Sequence, residues 1–87
     1  MSIFLLKIHN QLQPTDPILV DKVARRMQEI REQHQHTKEF VMHKTGLNIS
    51  DYENIIRFPS LGSISKFCKF YHISLEEFFA GMEYPKE

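Results

Sequence analysis

Cysteine occurs once in this 87-residue chain, as Cys68. That excludes an internal disulfide and any zinc site built on several thiolates. Glycine and proline are also scarce, three and four residues, and charged residues make up 25%; this composition is that of a folded chain and not of a disordered one. Neither sign of charge is in excess: eleven Lys and Arg meet eleven Asp and Glu, for a net +0 with His neutral. A basic arm that holds nucleic acid by charge alone is thereby excluded, although a local basic face is not. No apolar run approaches the ~20 residues of a membrane span. The apolar start Ile3–Leu6 is followed at once by Lys7 and lacks the leader, core and cleavage site of a signal peptide. A soluble, cytoplasmic protein with no membrane partner is expected. Internal repeats and low-complexity tracts are lacking too.

What is present suffices for one small domain. Apolar residues reach 41%, enough for a single core at a length where a partner chain often helps. Residues 2–9 are rich in β-formers, and Phe4, Leu6 and Ile8 would share one face of a strand. A helix joining Phe4, Ile8 and Leu12 is the competing reading. The segment 1–15 is therefore read as an N-terminal strand or arm. No second strand follows, so residues 2–9 are expected to pair with the same strand of another copy in a homodimer.

Five helices are predicted over residues 16–81, with 82–87 a frayed tail. Asp16-Pro17 opens the first, a carboxylate cap followed by proline at the first helical position. It should run to about His34, carrying Val20, Val23, Met27 and Ile30 at helical spacing. Thr37 caps the second helix, and Gly46 ends it in the left-handed conformation. Asn48 caps the third, which Pro59 stops. Ser60 caps the fourth, and Ser74 with Glu77 forms a capping box that opens the fifth, closed by Gly81. The expected core is Val20, Val23, Met27, Ile30, Phe40, Val41, Ile49, Tyr52, Leu61, Ile64, Phe67, Cys68, Ile73, Leu75 and Phe78.

Several of these segments resemble, in order, the lambda-repressor-like, Cro-type helix-turn-helix domains of the XRE family. Arg26–Glu32 resembles that family's first helix, and Thr37-Lys38-Glu39-Phe40-Val41 the start of its second. Thr45-Gly46-Leu47 is similar to its turn. Tyr52-Glu53-Asn54 and Pro59-Ser60-Leu61 are similar to its Ile-Glu-Asn and Pro-Ser-Leu, and His72–Phe79 to its Gly-Val-Ser-Leu-Asp-Glu-Leu-Phe. The resemblance covers about 60 of the 87 residues.

The resemblance implies an all-α, five-helix fold and a sequence-specific DNA-binding regulator, repressor- or antitoxin-like, that reads the major groove of double-stranded DNA with helix three as a dimer. Thr45, Asn48 and Asp51 would read bases, with Ser50 and Asn54 at the edges. Thr37, Lys38, Lys44 and Arg57 would hold the backbone. A toxin-like protein partner would fit the antitoxin variant. Lys38 stands where the family's second helix usually has Gln, which keeps a phosphate contact possible, and the sequence departs from the family at three further places. The stretch from Gly46 to Glu53 is about three residues short of the common pattern. Ile55-Ile56 replaces the usual Gly-Lys, which predicts a differently shaped exit from helix three. Asp51 stands where a basic residue is common. The competing reading is a degenerate helix-turn-helix kept as a dimerisation or protein-interaction module, in which Asn48, Ser50 and Asp51 merely start a helix. Surface charge separates the two: Lys38, Lys44, Arg57 and one of Arg25 or Arg26 on the face of Asn48 favour DNA, whereas Asp51 and Glu53 dominating it disfavour DNA.

Other chemistry finds little footing. His34-Gln35-His36 with His43 lacks a matching acid or thiol, and alternating histidines put their rings on opposite sides unless the turn is unusual, so no metal site is expected. Cys68 falls on the apolar stripe of helix four and reads as a buried structural thiol. No phosphate loop or carboxylate pair suggests an enzyme, and no cofactor is expected.

Overall fold

The computed structural model describes residues 16–83. Five helices and no strand are present among them: α1 (Pro17–Gln33), α2 (Lys38–Thr45), α3 (Ile49–Glu53), α4 (Leu61–Phe70) and α5 (Leu75–Ala80). The fold is all-α. The strand expected over residues 2–9, the arm 1–15 and the last four residues of the tail lie outside the described residues.

Local chemistry accounts for the helix starts. The Asp16 carboxylate accepts from the Leu19 N–H at 3.2 Å, and Pro17 follows it. Thr37 and Ser60 accept from the N–H groups of Phe40 and Ser63, both at 3.0 Å. Ser74 and Glu77 exchange the two bonds of a capping box. Each bond satisfies a donor that a helix start leaves without an intrahelical partner. Asn48 occupies the cap position of α3 but makes no side-chain capping bond.

The helix ends follow a rule the glycines do not reveal. Gly46 closes α2 at φ 76° as expected. Three other helices close on left-handed residues that are not glycine: Gln35 (φ 58°), Ile55 (φ 59°) and His72 (φ 57°). After α3, the Ile55 N–H donates to the Tyr52 carbonyl and the Ile56 N–H to that of Asp51. Gln35-His36 and His72-Ile73 repeat this pattern, which is the Schellman closure. α3 therefore ends at Glu53 by left-handed closure, well before Pro59. Its exit takes the left-handed conformation with isoleucine, not glycine, at position 55. Gly81 has an ordinary right-handed conformation (φ −78°); its value is space. A Cβ there would meet the Arg26 guanidinium, 2.6 Å from Nη2 and 2.7 Å from Nε.

The core forms where α1 packs on α3, α2 on α3 and α4, and α4 on α5. Met27, Val41, Ile49, Phe67 and Phe78 are completely buried. Phe67 meets Tyr71 and Phe78 edge-on, at 5.0 and 6.2 Å between centroids. Three expected core residues are exposed: Phe40 (40%), Leu61 (63%) and Leu75 (37%); Val20 and Ile73 are half-buried. Leu61 and Leu75 are the first residues of their helices. Their side chains lean back past the helix end, off the core. Phe40 lies one position before the buried Val41 and rests on His36 instead, 4.5 Å between rings. Met82, expected in a frayed tail, is 5% exposed and belongs to the core cluster.

Three arginines of α1 tie the helices together. Arg25 donates to the Glu53 carbonyl at the end of α3 (2.9 Å). Arg26 donates to the carbonyls of Phe78 (2.8 Å) and Glu77 (3.0 Å) in the last turn of α5, and its guanidinium stands 5.8 Å from the Phe78 ring centroid. Arg31 forks onto the buried Glu53 carboxylate and reaches the His36 carbonyl. Cations placed on helix-end carbonyls satisfy acceptors that have no intrahelical donor.

Candidate nucleic-acid interface

The expected contact residues lie along α2, the Gly46 turn, α3 and the loop to α4. Gly46 turns the chain in the left-handed region, and Leu47 folds under it at 8% exposure. Asn48 follows, exposed, its amide committed to nothing among the described residues. It is the expected base reader whose polar atoms are all available. Lys38 and Lys44 occupy the two ends of α2, about 9 Å apart along its axis, so they suit different phosphates. Lys44 is exposed, its ammonium 5.7 Å from the Phe40 ring.

Other members of the set are already engaged. Thr37 spends its hydroxyl oxygen on the cap of α2. Thr45 is 5% exposed; its hydroxyl donates to the Val41 carbonyl at 2.7 Å and accepts from the Leu47 N–H at 3.1 Å. Thr45 thus builds the turn from inside and presents no polar atom to a base, which corrects its expected role. Asn54 donates to the Ser50 hydroxyl at 3.5 Å, one helical turn away. Asp51 and Arg57 form an exposed ion pair at 3.3 Å, and Asp51's carbonyl also accepts from the Arg57 N–H. The arginine expected to hold a phosphate is therefore paired with the acid expected to read a base.

The charge criterion resolves unevenly. Glu53 does not face outward, because its side chain is 3% exposed and forked by Arg31. Arg25 and Arg26 are tied to helix-end carbonyls. The Lys66 ammonium lies 3.9 Å from where a Gly46 Cβ would stand, beside the turn that leads to Asn48. Sequence reasoning missed it, since only the packing of α4 on α2 brings position 66 there. The one usable signal was its place opposite the Ile64, Phe67 and Cys68 stripe.

The loop from α3 to α4 has a different character. Ile55 is 45% exposed, Ile56 72%, Phe58 37% and Leu61 63%. Four large apolar side chains within seven positions face solvent beside the Asp51–Arg57 pair.

Titratable groups elsewhere are structural. Cys68 is 2% exposed, and burial pushes its thiol above the ordinary value, so it stays protonated at neutral pH. Burial likewise raises the Tyr71 phenol, whose oxygen lies 2.8 Å from His36 Nδ1. The hydrogen bonds that Arg31 donates to the Glu53 carboxylate raise it above its already high value. His34 and His36 stack with centroids 5.8 Å apart, contrary to the expectation of opposed rings, because left-handed Gln35 between them reverses the alternation. No group of three or more His, Cys, Asp or Glu fit to hold a metal occurs among the described residues, and no helix among them is long and apolar enough to cross a membrane.

Comparison with protein families, with curated proteins and with solved structures finds no match to this chain.

Proposed function

We propose that this domain is a helix-turn-helix, lambda-repressor-like DNA-binding module: a cytoplasmic regulator, repressor- or antitoxin-like, that acts as a homodimer. The observation that carries the reading is Asn48. An exposed, uncommitted amide at the start of a short helix, just past a left-handed glycine turn, suits bidentate pairing with adenine in the major groove. Lys38, Lys44 and Lys66 supply phosphate contacts around it. The test is selection of duplexes from a random pool by the purified protein, followed by binding of Asn48→Ala. A loss of ~1–3 kcal/mol on the selected site, with little loss on random duplex, supports base reading. Equal losses on both, or no enriched sequence, refute it.

A second reading draws on a specific observation. The exposed Ile55, Ile56, Phe58 and Leu61, beside an arginine already paired with Asp51, favour a protein-facing surface over a phosphate-facing one. On that reading the helix-turn-helix is an interaction module, with a second copy or a toxin-like protein as partner.

A further inference from the structure

The contact between Asp51 and Arg57 is built by the backbone as well as by charge. Left-handed Ile55 (φ 59°) turns the chain back on α3. The N–H groups of Ile56 and Arg57 then both donate to the Asp51 carbonyl, at 2.9 and 3.3 Å. Position 57 is thereby fixed beside position 51, and Arg57 Nε stands 3.3 Å from Asp51 Oδ2. Both side chains reach solvent, and beyond this ion pair neither has a polar partner among the described residues. A surface ion pair contributes little to stability, so stability does not account for the strained turn that brings the two together. The pair stands on the outward side of α3: Ile49, Tyr52 and Glu53 are buried, and Asn48 and Asp51, three positions apart, share the other face.

We propose that Asp51 and Arg57 act as one unit that reads a C·G base pair in the major groove, the acid accepting from cytosine N4–H2 and the guanidinium donating to guanine O6 and N7. The proposal rests on the DNA-binding reading and deepens it. The order of donors and acceptors decides the base pair. C·G presents one amino donor beside two adjacent acceptors, and an acid beside a guanidinium is the complement of that row. Adenine also offers an amino group to an acid. It sets only N7 on one side, and thymine follows on the other with one oxygen and a methyl group, so the fork of the guanidinium finds no adjacent acceptors. Arg57 is then a base reader and not a holder of phosphate. Asp51 keeps it so in two ways. The ion pair holds the guanidinium beside α3 before DNA arrives, which reduces the rotamer freedom lost on binding. It also cancels the charge that would draw the arginine to any phosphate. Three residues of helix span about 4.5 Å, against about 3.4 Å for a base-pair step. The C·G pair is expected one or two steps from the adenine read by Asn48.

The experiment measures the affinity of the purified full chain, at fixed salt, for the duplex selected from a random pool and for versions of it changed at one base pair at a time. Circular dichroism verifies the folding of each variant. One position is expected, one or two steps from the adenine whose preference Asn48→Ala removes, at which C·G binds about tenfold tighter than the other three pairs. Arg57→Lys keeps the charge and loses the fork. It should cut that preference to under about threefold while affinity for random duplex stays within about twofold. Asp51→Ala should remove the preference at the same position and tighten binding to random duplex. Neither variant should alter the preference for adenine. A selected site with an Asn48-dependent adenine, but no C·G position sensitive to Arg57→Lys and Asp51→Ala, overturns the proposal and leaves the DNA-binding reading standing. Equal losses on all sequences in Arg57→Lys overturn it too, in favour of a phosphate contact. A pool that yields no enriched sequence overturns both.

Discussion

Arg31 and Glu53 are joined by two parallel hydrogen bonds, Nε to Oε2 at 2.7 Å and Nη2 to Oε1 at 2.8 Å, with side chains 8% and 3% exposed. The pair links the end of α1 to the end of α3 out of reach of solvent. Removing one partner strands the other's charge in the interior, which costs far more than the pair contributes net. Arg31→Met and Glu53→Leu are each expected to destabilise by ~3–5 kcal/mol, most of what a domain this small has. The double variant should cost less than the sum, measured by urea denaturation. Single losses below ~1 kcal/mol would show that the pair is solvated in solution.

Gly81 and Arg26 are coupled in the same way through space. Gly81→Ala places a methyl among the guanidinium atoms of Arg26, so that side chain must leave the Glu77 and Phe78 carbonyls. The expected cost is ~1–3 kcal/mol, the range for hydrogen bonds to a charged donor. In an Arg26→Ala background the same substitution should cost almost nothing. Equal costs in both backgrounds would place the effect of Gly81 elsewhere.

The left-handed closures make glycine substitutions stabilising, which is unusual. Gln35→Gly and His72→Gly should each add about 1 kcal/mol by removing Cβ crowding. Ile55→Gly should add as much or more, because its side chain is β-branched. Thermal or urea unfolding reads this directly, and a loss of stability at all three positions would contradict the assigned φ angles.

Legibility in the sequence divides along the same line. Asp16, Thr37, Ser60 and Ser74 were readable as caps because a cap bonds three residues ahead, within the span that a local pattern records. The apolar stripe of α4 was readable for the same reason. The left-handed positions were not, since Gln35, Ile55 and His72 carry none of glycine's signal. Nor were the arginine ties: Arg26 meets Phe78 across 52 positions, and Arg31 meets Glu53 across 22. Of the candidate interface, the Gly46 turn and the place of Asn48 at the start of α3 were legible from the turn pattern. Thr45 was misread because a hydroxyl at a turn looks the same in sequence whether it points in or out. Lys66 was invisible until α4 was placed against α2.

Alkali should lower stability through two buried groups. Cys68 and Tyr71 are both raised by burial, from ordinary values of 9.0 and 10.0. The unfolded chain releases those protons first, so it binds fewer of them than the folded chain, and stability falls as pH rises. The contribution is intact below about pH 9 and lost above it, with a slope of at most ~1.4 kcal/mol per pH unit for each group. Arg31 has the same sign but acts only in far stronger alkali. Cys68→Ala should delay the decline between pH 9 and 10 relative to its own neutral baseline; an unchanged profile would assign the decline to other groups.

Asp51 is paired with Arg57 at 3.3 Å, and on the DNA-binding proposal this keeps the arginine from phosphates. Asp51→Ala is expected to raise affinity for random duplex several-fold and to steepen the slope of log affinity against log salt by about one per protomer. Lys38→Ala should do the reverse, flattening the slope by about one on all sequences alike. A salt slope unchanged by both would remove this face from the duplex contact.

Arg26 is made well before the carbonyls it needs, which belong to α5. Until residues 77 and 78 have left the ribosome, α1 has nothing to grip at that end, and the space beside Gly81 does not exist. Met82 completes the core later still. A growing chain can wind α1 and α2 as soon as they emerge. It cannot latch until α5 is free as well, so the step that commits the domain to the native state waits for α5 to clear the ribosome.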